Sequence, residues 1–139
     1  MKKFLLLLVL LFVSIPAFAS NWYEYSKNSY IDLHSIKKNG HITYFWQKHI
    51  NNGKMPDVNN KKVAFAMDVT YFDLKNKKNA LKEVYFYGLD NKLIQHISVD
   101  NLQWEFIVPD SKFDKLFNAV SEYPDGDWAL ILYKNKVGL

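Results

Sequence analysis

The sequence predicts an α+β fold that is mainly β: an antiparallel meander sheet with one C-terminal amphipathic helix packed on it. Three observations carry this reading. Short segments of alternating apolar and polar residues recur along the chain, bounded by Asn, Asp, Gly and Lys turns, which is the period-two signature of strands. Phe113, Leu116, Phe117 and Val120 then fall at i, i+3, i+4 and i+7, the one clear helical period. Aromatic residues make up 17% of the chain, which supplies a core in a protein that has no cysteine to cross-link it.

The first residues are set apart from this pattern. Lys2-Lys3, an unbroken apolar run from Phe4 to Val13, and Ala17-Phe18-Ala19 have the layout of a cleavable secretory signal. The apolar run falls short of the roughly 20 residues of a membrane span and is interrupted by Pro16. No cysteine follows it, so a lipoprotein signal is not expected. The expected product is a single exported domain over residues 20–139, periplasmic or secreted, with no stable membrane anchor.

Trp22 to Tyr25 reads as a short first strand, Ser26 to Asn28 as a turn, and Ser29 to Ile31 as a second strand. Asp32 is expected to end that strand by accepting backbone N–H groups across Leu33 to Ser35. Asn39-Gly40 is the strongest hairpin signal, with both residues suited to a type I′ turn. His41 to Ile50 follows as a long strand. Its Ile42, Tyr44, Trp46 and Ile50 face is the more apolar and is expected to be core, as is Trp22. The His41, Thr43, Phe45, Gln47 and His49 face is expected to be exposed.

Asn51 to Lys61 is a polar loop. In the strand from Val63 to Asp73, Val63, Phe65, Met67, Val69 and Tyr71 point one way, and Ala64, Ala66, Asp68 and Thr70 the other. Leu81 to Tyr87 and Leu93 to Ile97 are further strands. Asp110 or Ser111 suits the helix N-terminus, and Asp114 the positive end of its dipole. Burying the four helix side chains contributes on the order of 6–12 kcal/mol before chain entropy is subtracted. Pro124 and Asp125-Gly126 turn the chain into a last strand at about 128–133.

Charge excludes some functions. The formal charge is +4, but Lys2 and Lys3 leave with the signal, so the exported chain carries +2. Every basic residue is lysine. Arginine, the usual bidentate reader of phosphates and bases, is absent, so no nucleic-acid partner is expected. The pairs Lys37-Lys38 and Lys61-Lys62 and the group Lys75, Lys77 and Lys78 adjoin turns. They read as solvated sheet ends, or as a basic rim facing an acidic partner.

No catalytic, metal or cofactor motif is present, and no enzymatic activity or cofactor is expected. His41 and His49 share a strand face but stand roughly 27 Å apart at strand rise, too far to share a metal. His34 and His96 have no ligand spacing either. Asp32, Asp68, Asp73 and Glu83 read as turn or face carboxylates. Ser35 beside His34 is not a triad, because adjacency in sequence is not geometry. Convergence of His34 or His96 with Asp68 in a cleft is what an enzyme would require. Phe45, Tyr85 and Tyr87 are candidate exposed aromatics for an interface, and no residue stands out as a partner-binding site.

Trp22, then Tyr30-Ile31-Asp32-x-x-Ser35-Ile36-Lys37-Lys38-x-Gly40 and a strand carrying Trp46, resembles the surface-adhesin protein E family. Tyr71-Phe72-Asp73, Tyr85-Phe86-Tyr87 and Trp104-x-x-Ile107-Val108-Pro109-Asp110-Ser111 continue the resemblance, which covers about residues 21–121. It implies an antiparallel sheet with a packed C-terminal helix in an exported bacterial binding protein. It also implies a protein partner such as the host extracellular matrix. Family members commonly carry two cysteines where this chain has Leu74 and, approximately, Ser121, and the namesake is lipid-anchored. Open edges of a meander suit pairing with a partner strand or a homodimer. A periplasmic small-ligand binder or envelope factor, with an aromatic pocket between helix and sheet lined by Phe113 and Phe117, is the alternative. Mass spectrometry of the protein recovered from expressing cells is expected to find Ser20 as the first residue; retention of residues 1–19 would remove the export reading.

Overall fold

In the computed structural model, residues 22–122 are described; the signal at 1–19 and the strand expected at 128–133 lie outside them. Among the described residues eight strands form one antiparallel sheet: β1 (Trp22–Ser26), β2 (Ser29–Asp32), β3 (Lys37–Asn39), β4 (Ile42–Ile50), β5 (Val63–Asp73), β6 (Lys78–Gly88), β7 (Leu93–Ser98) and β8 (Glu105–Phe106). A 3-10 turn at Leu33–Ser35 follows β2, and helix α1 (Lys112–Glu122) follows β8. The main path runs β1-β2-β4-β5-β6-β7. β3 also pairs with β4, and β8 with β6. The predicted meander with a packed helix is the fold the chain adopts.

Local chemistry places each turn. Asn28, at the β1–β2 turn, has φ 62°. Asp32 Oδ1 accepts the His34 amide at 3.1 Å, as expected of a turn-forming Asp. The β3–β4 hairpin differs by one residue from expectation. Asn39 pairs with Ile42, so Gly40 and His41 are the central residues. Only Gly40 of the two has positive φ, at 62°, which suits a type II′ turn with Gly first rather than a type I′ turn at Asn39-Gly40. The type I′ pattern occurs instead within the loop after β4. There Asn59 and Asn60 have φ 50° and 60°, and Val58 and Lys61 exchange backbone bonds of 2.9 and 3.0 Å. Asn51 anchors that loop by donating to Val63 O at 2.6 Å and accepting the amides of Gly53 and Met55.

The β4–β5 register decides which face is core. Thr43 faces Phe72, Phe45 faces Thr70 and Gln47 faces Asp68. Phe45 and Phe72 meet edge to face at 4.9 Å, and Phe72 packs on Phe113 and Phe117 of α1. Tyr25, Ile31, Leu33, Ile107, Leu116, Phe117 and Val120 complete this core, with Leu74 packed against it. Phe45 is therefore 0% exposed, and the expectation of an exposed Phe45 face is overturned. Trp22 and Trp46 are half-buried residues outside this core. The helix covers the strand face with more polar residues because those residues bond to one another there.

That network is continuous. Tyr25 donates to Gln47 Oε1, and Gln47 Nε2 donates to Thr70 Oγ1 at 2.7 Å and Asp68 Oδ1 at 3.2 Å. Thr70 Oγ1 donates to Asp68 Oδ1 at 2.7 Å, and His49 Nε2 meets Asp68 Oδ2 at 2.9 Å. Burial, with Asp68 nearby, pushes the Tyr25 hydroxyl well above its ordinary range. Thr43, fully buried, has no partner for its hydroxyl among the described residues.

Helix α1 starts at a cap. Ser111 Oγ accepts the Asp114 amide at 3.1 Å, and Asp114 Oδ2 accepts the Asp110 amide at 2.8 Å. Asp114 also pairs with Lys77 Nζ at 2.8 Å, tying the first turn of α1 to the β5–β6 loop. The Lys77 hydrogen bond, aided by the Asp110 amide, holds Asp114 below the usual carboxylate range. The Asn76 side-chain amide, aided by the Asn76 and Lys75 backbone, does the same for Asp73.

Two outcomes follow from these bonds. With both folded-state values depressed, the unfolded chain takes up protons first. Stability is then complete above about pH 4 and is lost as pH falls through the folded values. Replacing Asp73 and Asp114 with Asn should flatten the acid limb of a melting-temperature series against pH. In urea unfolding, Asp68→Leu should cost about 3 kcal/mol or more by stranding Gln47 and His49, whereas Thr43→Val should be neutral or gain about 1 kcal/mol.

Candidate functional site

The register that buries Phe45 turns the alternate residues of β4, β5 and β6 to the opposite face. Tyr44, Trp46, Phe65, Met67, Tyr71, Tyr85 and Tyr87 lie there, all half-buried. Cross-strand neighbours stack: Tyr44 on Tyr71 at 5.2 Å, Phe65 on Tyr87 at 4.7 Å, and Trp46 tilted on Tyr85 at 5.4 Å. Tyr85 continues onto the His96 ring of β7 at 4.1 Å, and Lys48 Nζ lies 4.6 Å from the Phe65 ring centre. Such pairs hold the rings side by side and stiffen the surface they form.

A cleft of about 900 Å³ opens on this face. Its floor is Tyr44, Trp46, Val69 and Tyr71, and its rim is Asp32, His34, Ser35, Lys37, Lys82 and Glu83. Backbone irregularity shapes both sides. β2 and β3 pair with the same edge of β4, and the 3-10 turn fills the break between them. Ser35 pins the turn: its Oγ accepts the Trp46 amide at 2.8 Å and donates to Asp32 O at 2.7 Å. Across the cleft, a register shift in β6 leaves Lys82 between the residues paired with Val69 and Thr70. Such a bulge re-aims side chains, and both Lys82 and Glu83 line the cleft. Lys82 Nζ donates to Val99 O at 2.9 Å. Tyr85 donates to Glu83 at 3.1 Å, and partial burial followed by that bond raises the Tyr85 pKa.

On the helix side, Ser29, His49 and Asp68 stand in the order of nucleophile, base and orienting acid. Asp68, as acceptor, places the His49 proton on Nε2, leaving Nδ1 to accept from Ser29 Oγ at 3.1 Å. Lys112 Nζ lies 3.4 Å from the same Oγ. Ser29 is only 4% exposed, so its oxygen, bonded to His49 and near Lys112, sits within the buried polar network and not in an open cleft. The predicted requirement for an enzyme paired Asp68 with His34 or His96. The structure places His34 at the cleft rim and His96 3.8 Å from Glu83, and brings neither to Asp68.

His41 is exposed at its turn, 3.9 Å from Asp73. Among the described residues no three His, Asp or Glu side chains converge as metal ligands. Lys61-Lys62 and the two groups Lys37-Lys38 and Lys75-Lys78 sit at opposite ends of the sheet. Phe113 and Phe117 fill the space between helix and sheet against Phe72, so the aromatic cleft lies on the other face from the one expected.

Among the described residues, an antiparallel sheet with a helix packed on one face and an aromatic surface on the other makes an α+β, mainly β, fold. Protein E from non-typeable Haemophilus influenzae has this fold: it superposes with a TM-score of 0.59 at 12% identity over 81% of this chain and 83% of that one. A second crystal form of Haemophilus influenzae protein E superposes at 0.54, with 13% identity over 74% and 88% of the two chains. No protein-family model and no curated protein matches the sequence. The likeness is one of fold.

Proposed function

We propose that this chain is an exported, non-enzymatic binding protein of the surface-adhesin E type that engages a protein partner through the open aromatic face of its sheet. The observation that carries this reading is a row of stacked, half-buried Tyr, Trp and Phe side chains on the face opposite the helix. Aromatic anchors in a stiff surface lose little conformational entropy on binding and dominate protein interfaces. The likeness to protein E supports the class, and the resemblance of the sequence to the surface-adhesin E family makes host extracellular matrix the first partner to test. On this reading residues 20–139 are one domain released from the signal at 1–19. No helix among the described residues is long and apolar enough to cross a membrane.

A second reading rests on the cleft. About 900 Å³ with an aromatic floor and a polar rim is the size and chemistry of a small-ligand site, as a periplasmic carrier or envelope factor would need. Capture of solubilised matrix proteins separates the two. Tyr71→Ser with Tyr85→Ser is expected to lower capture at least about ten-fold, since each lost aromatic anchor is worth 1 kcal/mol or more, while leaving urea stability within about 2 kcal/mol. Undiminished capture by that variant, or a small molecule retained in native mass spectrometry and lost with Trp46→Ala, would favour the cleft reading instead.

A further inference from the structure

The end of the sheet that carries the loop after β4 and the β6–β7 turn combines two features that the binding face does not use. Leu89, at the tip of the turn, is 76% exposed, and Leu93, opening β7, is 52% exposed. Both line a groove of about 460 Å³ with Ile94, ringed by Lys61, Lys62 and Lys92. A scattered exposed leucine means little. Two leucines in one groove, framed by three lysines at a projecting tip, form an amphiphilic surface. Asp90, the acid in the groove lining, accepts the Lys92 amide at 3.1 Å and keeps its charge, so three lysines against one carboxylate leave the lining net positive.

We propose that this tip is a peripheral membrane-docking surface for an anionic lipid bilayer. Leu89 and Leu93 would enter the headgroup boundary while Lys61, Lys62 and Lys92 meet lipid phosphates with their stems lying along the apolar groove. The loop backbones are stiff enough to present it. The Val58–Lys61 bridge orients the first pair of lysines, and the Gly88 amide bond to Lys92 O, at 2.9 Å, closes the turn that carries Leu89. Charge complementarity selects the partner, and the leucines select a bilayer over a soluble polyanion.

The opposite end also has lysines and exposed Phe106 and Val108, but two of its lysines are engaged within the protein. Lys77 pairs with Asp114, and Lys78 lies 4.5 Å from the Phe106 ring centre. It therefore serves as the control. The inference is independent of the proposed protein-binding face.

Co-sedimentation with phosphatidylcholine vesicles, with and without phosphatidylglycerol, tests it. The protein is purified from cells expressing the full chain, and every variant carries the same N-terminus, so the comparison isolates the tip. Binding is expected only with phosphatidylglycerol present. Replacing Lys61, Lys62 and Lys92 with Gln is expected to weaken it about 100-fold, from about five-fold per lysine. Leu89→Ser with Leu93→Ser, both exposed and harmless to the fold, should abolish sedimentation at physiological salt, while Lys75→Gln with Lys78→Gln should have little effect. Absence of binding to anionic vesicles, equal loss with the control lysines, or binding to immobilised heparin without binding to vesicles would each overturn the proposal.

Discussion

Pairing of β4 with β5 is the constraint on which the rest of the molecule depends. It sets Gln47 opposite Asp68 and Phe45 opposite Thr70, on the side that α1 covers. Buried polar groups cost free energy unless bonded, and Gln47, Asp68, Thr70 and Tyr25 satisfy one another only in this alignment. A slip of one residue would turn Phe45 to solvent and strand those groups. The same alignment places Tyr44 beside Tyr71 on the other face. Core and candidate interface are thus two consequences of one register.

The helix is fastened by packing and charge rather than by a covalent link. Leu116, Phe117 and Val120 bury against Phe45 and Phe72, and Lys77 reaches from the β5–β6 loop to Asp114 in the first helical turn. Leu74 lies against the same core. Near the helix end, the Ser121 hydroxyl donates to Phe117 O at 2.8 Å. The sheet-to-helix joint is accordingly expected to weaken as Asp114 is protonated at low pH, and with any loss of core volume.

Much of the architecture was legible in the residues. Strand alternation, the i, i+3, i+4, i+7 helix and the turn role of Asp32 all appear as expected, because each depends on local periodicity or a neighbouring side chain. The choice of core face was not legible. In β4 the alternation exposes two sets, and the more apolar set, with Tyr44 and Trp46, is the open one. What decided the matter was Asp68 and Thr70 on β5 meeting Gln47, a pairing that no local rule reveals. The Ser29–His49–Asp68 chain was hidden for the same reason. The hairpin shift from Asn39-Gly40 to Gly40-His41 reflects the β3–β4 pairing overriding the usual Asn-Gly preference. The cleft rests on the break between β2 and β3 and on the Lys82 bulge, and neither has a signature in the sequence.

The face that a sequence pattern would assign to the core is the half-open one. Neighbouring residues of β4 test it most directly. Comparing the urea stabilities of Phe45→Ala and Trp46→Ala asks which face is core. Phe45→Ala should cost about 3–5 kcal/mol, as for a buried aromatic. Trp46→Ala, on the half-open face, should cost less than about 2 kcal/mol. The reverse order, with Trp46→Ala the more damaging, would contradict the account.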